Sequence, residues 1–410
     1  MTDQLTDSVQ LFTSSYFADP HPALAGLRDG ERPVVPVAMP GGYRAWAVSR
    51  YADARAALTD PRLSKDADRH WTAFREGRTP TTAEVLLTTG TTMLTADPPE
   101  HSRLRGLVAK AFTARRVEAL RPRIAELTAG LLDAMERPAA DGGPVDVVRG
   151  LAAPLPMEVI CELFGLTDGA DRAVLRRSTE TLFSATAGPE AAAAARTEVY
   201  AALGRLAEAK AAAPGDDLTS ALVRAQEAGD RLSPGELVGT LGLLLMAGHE
   251  TTVNLIGNAV LAVLTHPAQR KLLAERPELW PRTVEETLRW NGSVVMAIYR
   301  FPVEEVEIGG VRIPAGEPVM IALPGAGRDP RRHADPDTFD VAREDHGHLA
   351  FGHGIHHCLG APLARLEAAV ALPALFARFP GLRLDTEPER IRWHKSVVSR
   401  GPAAVPVRLS

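Results

Sequence analysis

The chain has 410 residues, of which 45% are hydrophobic, enough to bury a large core, and no internal linker of altered composition divides it. A formal net charge of −5, with no cluster of lysines and arginines flanking aromatic residues, excludes a nucleic-acid module. Two distant cysteines exclude a disulfide framework, and the most apolar run, Leu241 to Gly248, is too short for a bilayer span.

The first twenty residues show neither a secretory signal nor an anchor, so a reducing, cytoplasmic setting is expected. Val34–Met39 and Tyr43–Val48 are β-prone runs around Pro40-Gly41-Gly42, the pattern of a hairpin, and a helix is expected from Tyr51 to about Leu58. From Pro61 to Thr95 periodicity breaks down, which predicts a long loop with room for one short helix. Asp97-Pro98-Pro99-Glu100-His101 starts a helix with proline in its opening turn. On it His101 and Arg105 stand four apart, on one face. With Arg103, Lys110, Arg115 and Arg116 nearby, that face reads either as a solvated basic stripe or as a grip on a buried anion. Val117 to Leu264 is helical, broken by Pro138, Gly142-Gly143-Pro144, Pro154, Gly188-Pro189 and Pro214-Gly215. Ala191–Ala195 is helix-prone and carries no chemistry, and Leu182–Pro189 reads as a cover over a pocket or as a plain turn.

Ser233-Pro234-Gly235-Glu236 is a capping box, and the helix it opens runs to His266-Pro267, about 32 residues or roughly 48 Å. Leu237, Val238, Leu241, Leu243, Leu244, Leu245 and Met246 wrap around its axis, the signature of a buried beam. In its middle stands Ala247-Gly248-His249-Glu250-Thr251-Thr252. A zinc-protease reading fails, because the second histidine of His-Glu-x-x-His would fall on Val253. What remains is a glutamate and a threonine in an apolar helix, either a polar contact between helices or a pair that moves protons. Glu286 and Arg289 lie three apart on a helix begun after Pro281 and can pair. Val294–Ile298, Val306–Val311 with a turn at Gly309-Gly310, and Val319–Leu323 after Pro314-Ala315-Gly316 read as strands of a small sheet.

The stretch Phe351-Gly352-His353-Gly354-Ile355-His356-His357-Cys358-Leu359-Gly360 precedes an apolar helical segment. A cysteine where a glycine-rich loop becomes a helix meets backbone N–H groups and the positive end of the helix dipole, both favouring thiolate. Three readings compete: a packing cysteine, a zinc site with His353, His356 and His357, or a haem iron held by one thiolate. Zinc lacks a second cysteine pair, since Cys161 stands alone.

The positions Phe351, Gly354, Cys358 and Gly360 match Phe-x-x-Gly-x-x-x-Cys-x-Gly, and on this stretch the chain resembles the cytochrome P450 monooxygenases. The resemblance implies a mainly α P450 fold with a small β-rich region, in a single domain over residues 1–410. It implies haem b (iron protoporphyrin IX) with Cys358 as the iron's ligand and Phe351, Gly352 and Gly360 around it. His101, Arg105, Arg300 and His356 would hold the propionates. In the central helix Ala247 and Gly248 would lie against the cofactor, and Glu250 and Thr251 would deliver protons to bound O2. Glu286 and Arg289 match a buried structural pair, completed by an arginine further on. Leu244, Val294, Val295, Met296 and Val397 would line the substrate pocket, although core packing also suits the valines and the methionine.

Two departures stand out: Gly325-Ala326-Gly327 before Arg328-Asp329-Pro330 is glycine-richer than usual, a matter of loop stiffness, and His357 directly before the cysteine is unusual. The expected reaction inserts one oxygen atom from O2 into a bulky hydrophobic small molecule, by hydroxylation or epoxidation in secondary metabolism. Leu63-Ser64-Lys65-Asp66, His70-Trp71 and the AGHETTVNLI segment resemble actinobacterial members acting on polyketides, macrolides or steroids. Expected partners are a ferredoxin and its reductase, drawing on NAD(P)H and attracted by Lys110, Arg115 and Arg365, with no membrane, no nucleic acid and a monomeric state. A non-oxygenating haem-thiolate enzyme and a haem-binding sensor are the rival readings.

Overall fold

The structure, a computed structural model, describes residues 8–80, 82, 85, 87–139, 143–182, 188–227 and 232–409. Its contacts divide the chain into two compact units. One comprises the chain up to Asp97, Asn258–Cys358 and Ile391–Ala403; the other comprises Pro98–Gly257, Leu359–Arg390 and the chain from Ala404 on. Among the described residues no helix is long and apolar enough to cross a membrane.

The strands are β1 (Val34–Met39), β2 (Tyr43–Val48), β3 (Leu63–Ser64), β4 (Val145–Asp146), β5 (Met296–Pro302), β6 (Val306–Ile308), β7 (Val311–Ile313), β8 (Val319–Ala322), β9 (Arg383–Leu384) and β10 (Pro406–Arg408). The first unit holds a sheet in the order β1-β2-β8-β5-β3 and the β6-β7 hairpin. Because side chains alternate across a strand, the sheet feeds two apolar clusters. Val37, Met39, Ala45, Ala47, Met320 and Ala322 join Trp71, Tyr299 and Phe301 in one. Val34, Val48, Val319 and Ile321 join Leu58, Ile308 and Ile313 in the other.

The second unit is helical, with the small sheet β4-β10-β9. The Gly169–Leu182 helix packs on Pro189–Ala212, and Ala361–Arg378 packs on Arg121–Ala139. The 32-residue helix Pro234–Thr265 starts on the expected box: Ser233 N–H donates to Glu236 Oε2 at 2.6 Å, and Glu236 N–H to Ser233 Oγ at 3.2 Å. Leu241, Leu245, Leu255 and Ile256 are fully buried on it, each contributing roughly 1.5–3 kcal/mol.

Three local expectations change, and one lies largely outside the described residues. The 61–95 segment contains two short helices, Ala67–His70 and Thr72–Arg75, the first capped by Asp66, whose carboxylate accepts from Arg69 N–H at 3.0 Å. The helix expected from Asp97 begins at Glu100, with Pro99 as its N-cap. β5 begins at Met296 and continues to Pro302, past the apolar run and through Arg300. Of the Leu182–Pro189 stretch, residues 183–187 lie outside the described residues.

Candidate active site

The cysteine loop is folded by its glycines. Gly352 and Gly354 have φ of +72° and +75°, a region that side chains rarely adopt. A Cβ on Gly354 would come within 2.9 Å of Thr59 Cγ2 and 3.1 Å of the Leu58 carbonyl oxygen. Cys358 N–H donates to the Phe351 carbonyl at 2.8 Å and closes the loop, three residues ahead of the Ala361–Arg378 helix. The side chain of Cys358 is exposed, and those of Phe351 and His356 are half-buried. Cys161, by contrast, is 1% exposed, and burial pushes its thiol up to about 11. It is a packing cysteine.

On the central helix Leu244, Ala247, Gly248 and Thr251 fall at i, i+3, i+4 and i+7, one stripe. That stripe is half-buried, with Ala247 exposed, whereas Leu241, Leu245, Thr252, Leu255 and Ile256 are buried. An open stripe in the middle of an apolar helix is a surface for a bound group. Thr251 Oγ1 donates to the Ala247 carbonyl at 2.6 Å, so its hydrogen is committed and its lone pairs remain. Glu250 beside it is half-buried. His249 is held neutral by burial, which lowers its pKa, with its ring 3.1 Å from the Ala153 carbonyl. A Cβ on Gly248 would stand 3.3 Å from Ile160 Cδ1, so this glycine serves the approach of the Pro154–Phe164 helix.

His101 is 2% exposed and Arg105 half-buried, while Lys110 and Arg115 are exposed, so the expected stripe is split between interior and surface. Arg103 is occupied with Glu100 at 2.5 Å and with Glu236. In the first unit Arg300 is 5% exposed, and burial pushes it down to about 10 against the opposing charge of Asp97. Val295, Met296 and Val397 share one apolar cluster, joined by Val295 N–H to the Val398 carbonyl at 2.8 Å; Val294 turns to the other cluster.

Glu286 and Arg289 are completely buried and bidentate, at 2.7 and 2.8 Å. Arg289 also donates to the carbonyls of Gly327, Pro336 and Thr338, and Arg343 adds a contact to Glu286 at 3.3 Å. Arg343, to which sequence reasoning gave no role, is the completing arginine. Gly327 allows this assembly, since a Cβ there would overlap the Arg289 carbonyl oxygen. Gly325 and Gly327 therefore matter for close packing inside the short helix Leu323–Gly327, not for loop stiffness. Lys65, 4% exposed beside β5, is a buried cation that sequence reasoning did not single out.

A haem iron held by a thiolate would need a sulfur in the open, and its two carboxylates would need buried cations. Cys358 supplies the first, and the buried guanidinium of Arg300 supplies one of the second. The residues fit the group.

The sequence pattern of the family described as Cytochrome P450 matches residues 204–404, a span that includes Thr251, Arg300 and Cys358. The Cytochrome P450 monooxygenase PikC of Streptomyces venezuelae is 48% identical over 395 residues, covering 96% of this chain and 92% of that protein. The Mycinamicin IV hydroxylase/epoxidase of Micromonospora griseorubida is 43% identical over 396 residues, covering 95% and 97%. The solved structure of the tirandamycin C-bound P450 monooxygenase TamI has a TM-score of 0.88 at 41% identity, covering 98% of this chain and 100% of that one. With an open sulfur on a glycine loop, a polar pair in an apolar helix and relatives that span nearly its whole length, the chain belongs to the cytochrome P450 family and is a haem-iron monooxygenase.

Proposed function

We propose that the enzyme oxidises a bulky polyketide, macrolide or steroid-like molecule in secondary metabolism, by regioselective hydroxylation or epoxidation, with haem b as cofactor. The names of the relatives support this class: one acts on mycinamicin IV, and another is seen with tirandamycin C. The observation that carries the reading is the exposed sulfur of Cys358 on a loop closed by its own N–H. When bound, the haem supplies activation of O2 and insertion of one oxygen atom into substrate, with the other leaving as water.

Cys358 is the proposed iron ligand, framed by Phe351, Gly352 and Gly360. His101, Arg105, Arg300 and His356 hold the propionates. The Thr251 oxygen, its hydrogen donated to Ala247, accepts a hydrogen bond from a protonated group on its open side, and Glu250 exchanges protons with solvent. His249, held neutral, is not the acid. Ala247 and Leu244 offer the open stripe to cofactor and substrate, and Val294, Val295, Met296 and Val397 complete the apolar lining. Glu286 and Arg289 act through folding and haem retention.

Electrons come from a redox partner, which we assign as a ferredoxin served by an NAD(P)H-dependent reductase. Exposed Lys110 and Arg115, with half-buried Arg365, offer it positive charge. We take residues 1–410 as one working domain, because each compact unit is assembled from three separate stretches of chain. A monomer in the cytoplasm completes the reading.

The test is spectroscopic. The reduced carbon-monoxide complex should show the red-shifted band of a thiolate ligand and Cys358→His should abolish it, while polyketides, macrolides and steroids are screened for displacement of iron-bound water. A wild-type complex resembling that of a histidine-ligated globin would overturn the ligand assignment. For the proton pair, Thr251→Ala should divert reductant to hydrogen peroxide; unchanged coupling of reductant to product would remove Thr251 from it.

A further inference from the structure

The central helix is held against the Pro154–Phe164 helix at two consecutive residues, immediately before Glu250 and Thr251. A Cβ on Gly248 would stand 3.3 Å from Ile160 Cδ1, and His249 Nε2 lies 3.1 Å from the Ala153 carbonyl oxygen. Ala153, the N-cap of the neighbouring helix, and Ile160 are seven apart, two turns along one face, so the two contacts form one seam. The chain leading into that helix is unusual. Val148–Ala152 is a π-helix, closed by Ala153 N–H to the Val148 carbonyl at 2.8 Å, and Pro154 follows at once. A turn widened by one residue is rare and recurs at functional sites. Here it ends on the carbonyl that His249 meets.

A carbonyl only accepts, so Nε2 carries the hydrogen of the His249 ring and donates it to Ala153. The ring is 8% exposed, and burial keeps it uncharged. An apolar side chain of similar size would fill the seam with no polar atom to satisfy, so filling space does not account for a histidine. Two residues are about 200° round a helix axis, which puts His249 and Thr251 on opposite sides of the central helix. Side-chain atoms ride roughly 5–6 Å from the axis, so a rotation of about 10° carries Thr251 Oγ1 and the Glu250 carboxylate about 1 Å. A displacement of that size costs a positioned proton transfer up to about 10²-fold.

We propose that His249 is a positioning residue, whose bond to the Ala153 carbonyl fixes the rotation of the central helix and with it the placement of Glu250 and Thr251 for proton delivery. The inference rests on the proton-delivery reading above. Gly248 against Ile160 sets the separation of the two helices; the directional bond sets the angle. The competing role is a filler of the seam, for which the donor is immaterial.

The experiment uses the full-length haem-loaded protein as wild type, Thr251→Ala, His249→Phe, His249→Gln and Ile160→Ala. One readout is the C–O stretching band of the reduced carbon-monoxide complex, which responds to polar groups beside the bound gas. The other is peroxide-driven oxidation of guaiacol, a probe that needs neither redox partner nor native substrate. Thr251→Ala supplies the reference change in both. His249→Phe should shift the band and slow guaiacol oxidation about tenfold. His249→Gln, whose amide N–H reaches the same carbonyl, should restore both. Ile160→Ala, which loosens the seam but keeps the donor, should lower thermal stability and leave the band in place. A band or a rate unmoved in His249→Phe, or a band shifted as far in His249→Gln or Ile160→Ala, overturns the proposal. Should His249→Phe not fold, His249→Leu is read against the same outcomes, and failure of both makes His249 a folding residue and overturns it too. A Thr251→Ala protein that matches wild type in both readouts sinks the proton-delivery reading as well, whereas a responsive Thr251→Ala beside an indifferent His249→Phe sinks this inference alone.

Discussion

Two buried charge clusters in the same unit are built on opposite terms. Around Glu286 the hydrogen-bonding groups are met within the chain: two arginines and the Asp340 N–H at 2.9 Å on the carboxylate, and three carbonyls on Arg289. Around Arg300, 5% exposed, the opposing charge is that of Asp97, whose carboxylate already accepts Lys65 N–H and the Ser64 hydroxyl. A closed account marks a part of the scaffold, and an open one marks a place kept for a ligand.

The largest effect that would break this contrast is at the closed cluster. Arg289→Met should destabilise the protein by about 3–5 kcal/mol, read from urea unfolding, because it strands Glu286 in the interior. A loss below about 1 kcal/mol would show that the cluster is not a structural lock. Glu367 sharpens the rule as a buried acid whose Oε2 has no hydrogen-bond partner among the described residues: burial pushes it up to about 8. Its folded value lies above the unfolded one, so the protonated form's stability is full below pH 4.5 and is lost as pH rises toward 8. Glu367→Gln should therefore gain on wild type progressively over that window, by about 3 kcal/mol at pH 7. A difference independent of pH would mean that the carboxyl is solvated in the folded state.

At the open cluster the sign reverses. Arg300→Met should leave the haem-free protein equally stable or up to about 2 kcal/mol more so, since a buried charge that burial disfavours is removed, while the loaded protein loses haem faster. Destabilisation of the haem-free form would erase the distinction between the clusters. The smallest effect belongs to charges in water. Lys110→Glu with Arg115→Glu should slow reduction by an acidic ferredoxin a few-fold at low salt, with the difference vanishing at high salt in stopped-flow measurements. Rates indifferent to both charge and salt would move the partner's footprint elsewhere.

The same contrast explains what could be read from the chain. β1, β2 and the Pro234–Thr265 helix follow from period-two and capping signals local to the sequence, and they appear with the bounds expected. Glu286 and Arg289 were legible as an i,i+3 pair, but their burial was not: it depends on Gly327 and Arg343, far along the chain. Arg300 interrupts an apolar run, so periodicity ended the strand too early, whereas β5 carries the arginine inward through a register irregularity between Ala297 and Arg300. Lys65 sits in a stretch that reads as a long loop with room for one short helix, and only pairing with a strand more than two hundred residues later reveals its neighbour. The Asp66 cap was a readable signal for the short helix after it. Cys358 stood out because its glycines and its place before a helix are local facts.

Gly354 rests against Leu58 and Thr59, with no room for a methyl group. The sulfur's height above the chain is thus gauged by the tail of the Tyr51–Ala57 helix, some three hundred positions upstream. Substitutions at Thr59, a site that looks like unremarkable surface, become a dial for nudging the proposed iron ligand, and directed evolution of this oxygenase could turn it without touching any group proposed to meet substrate.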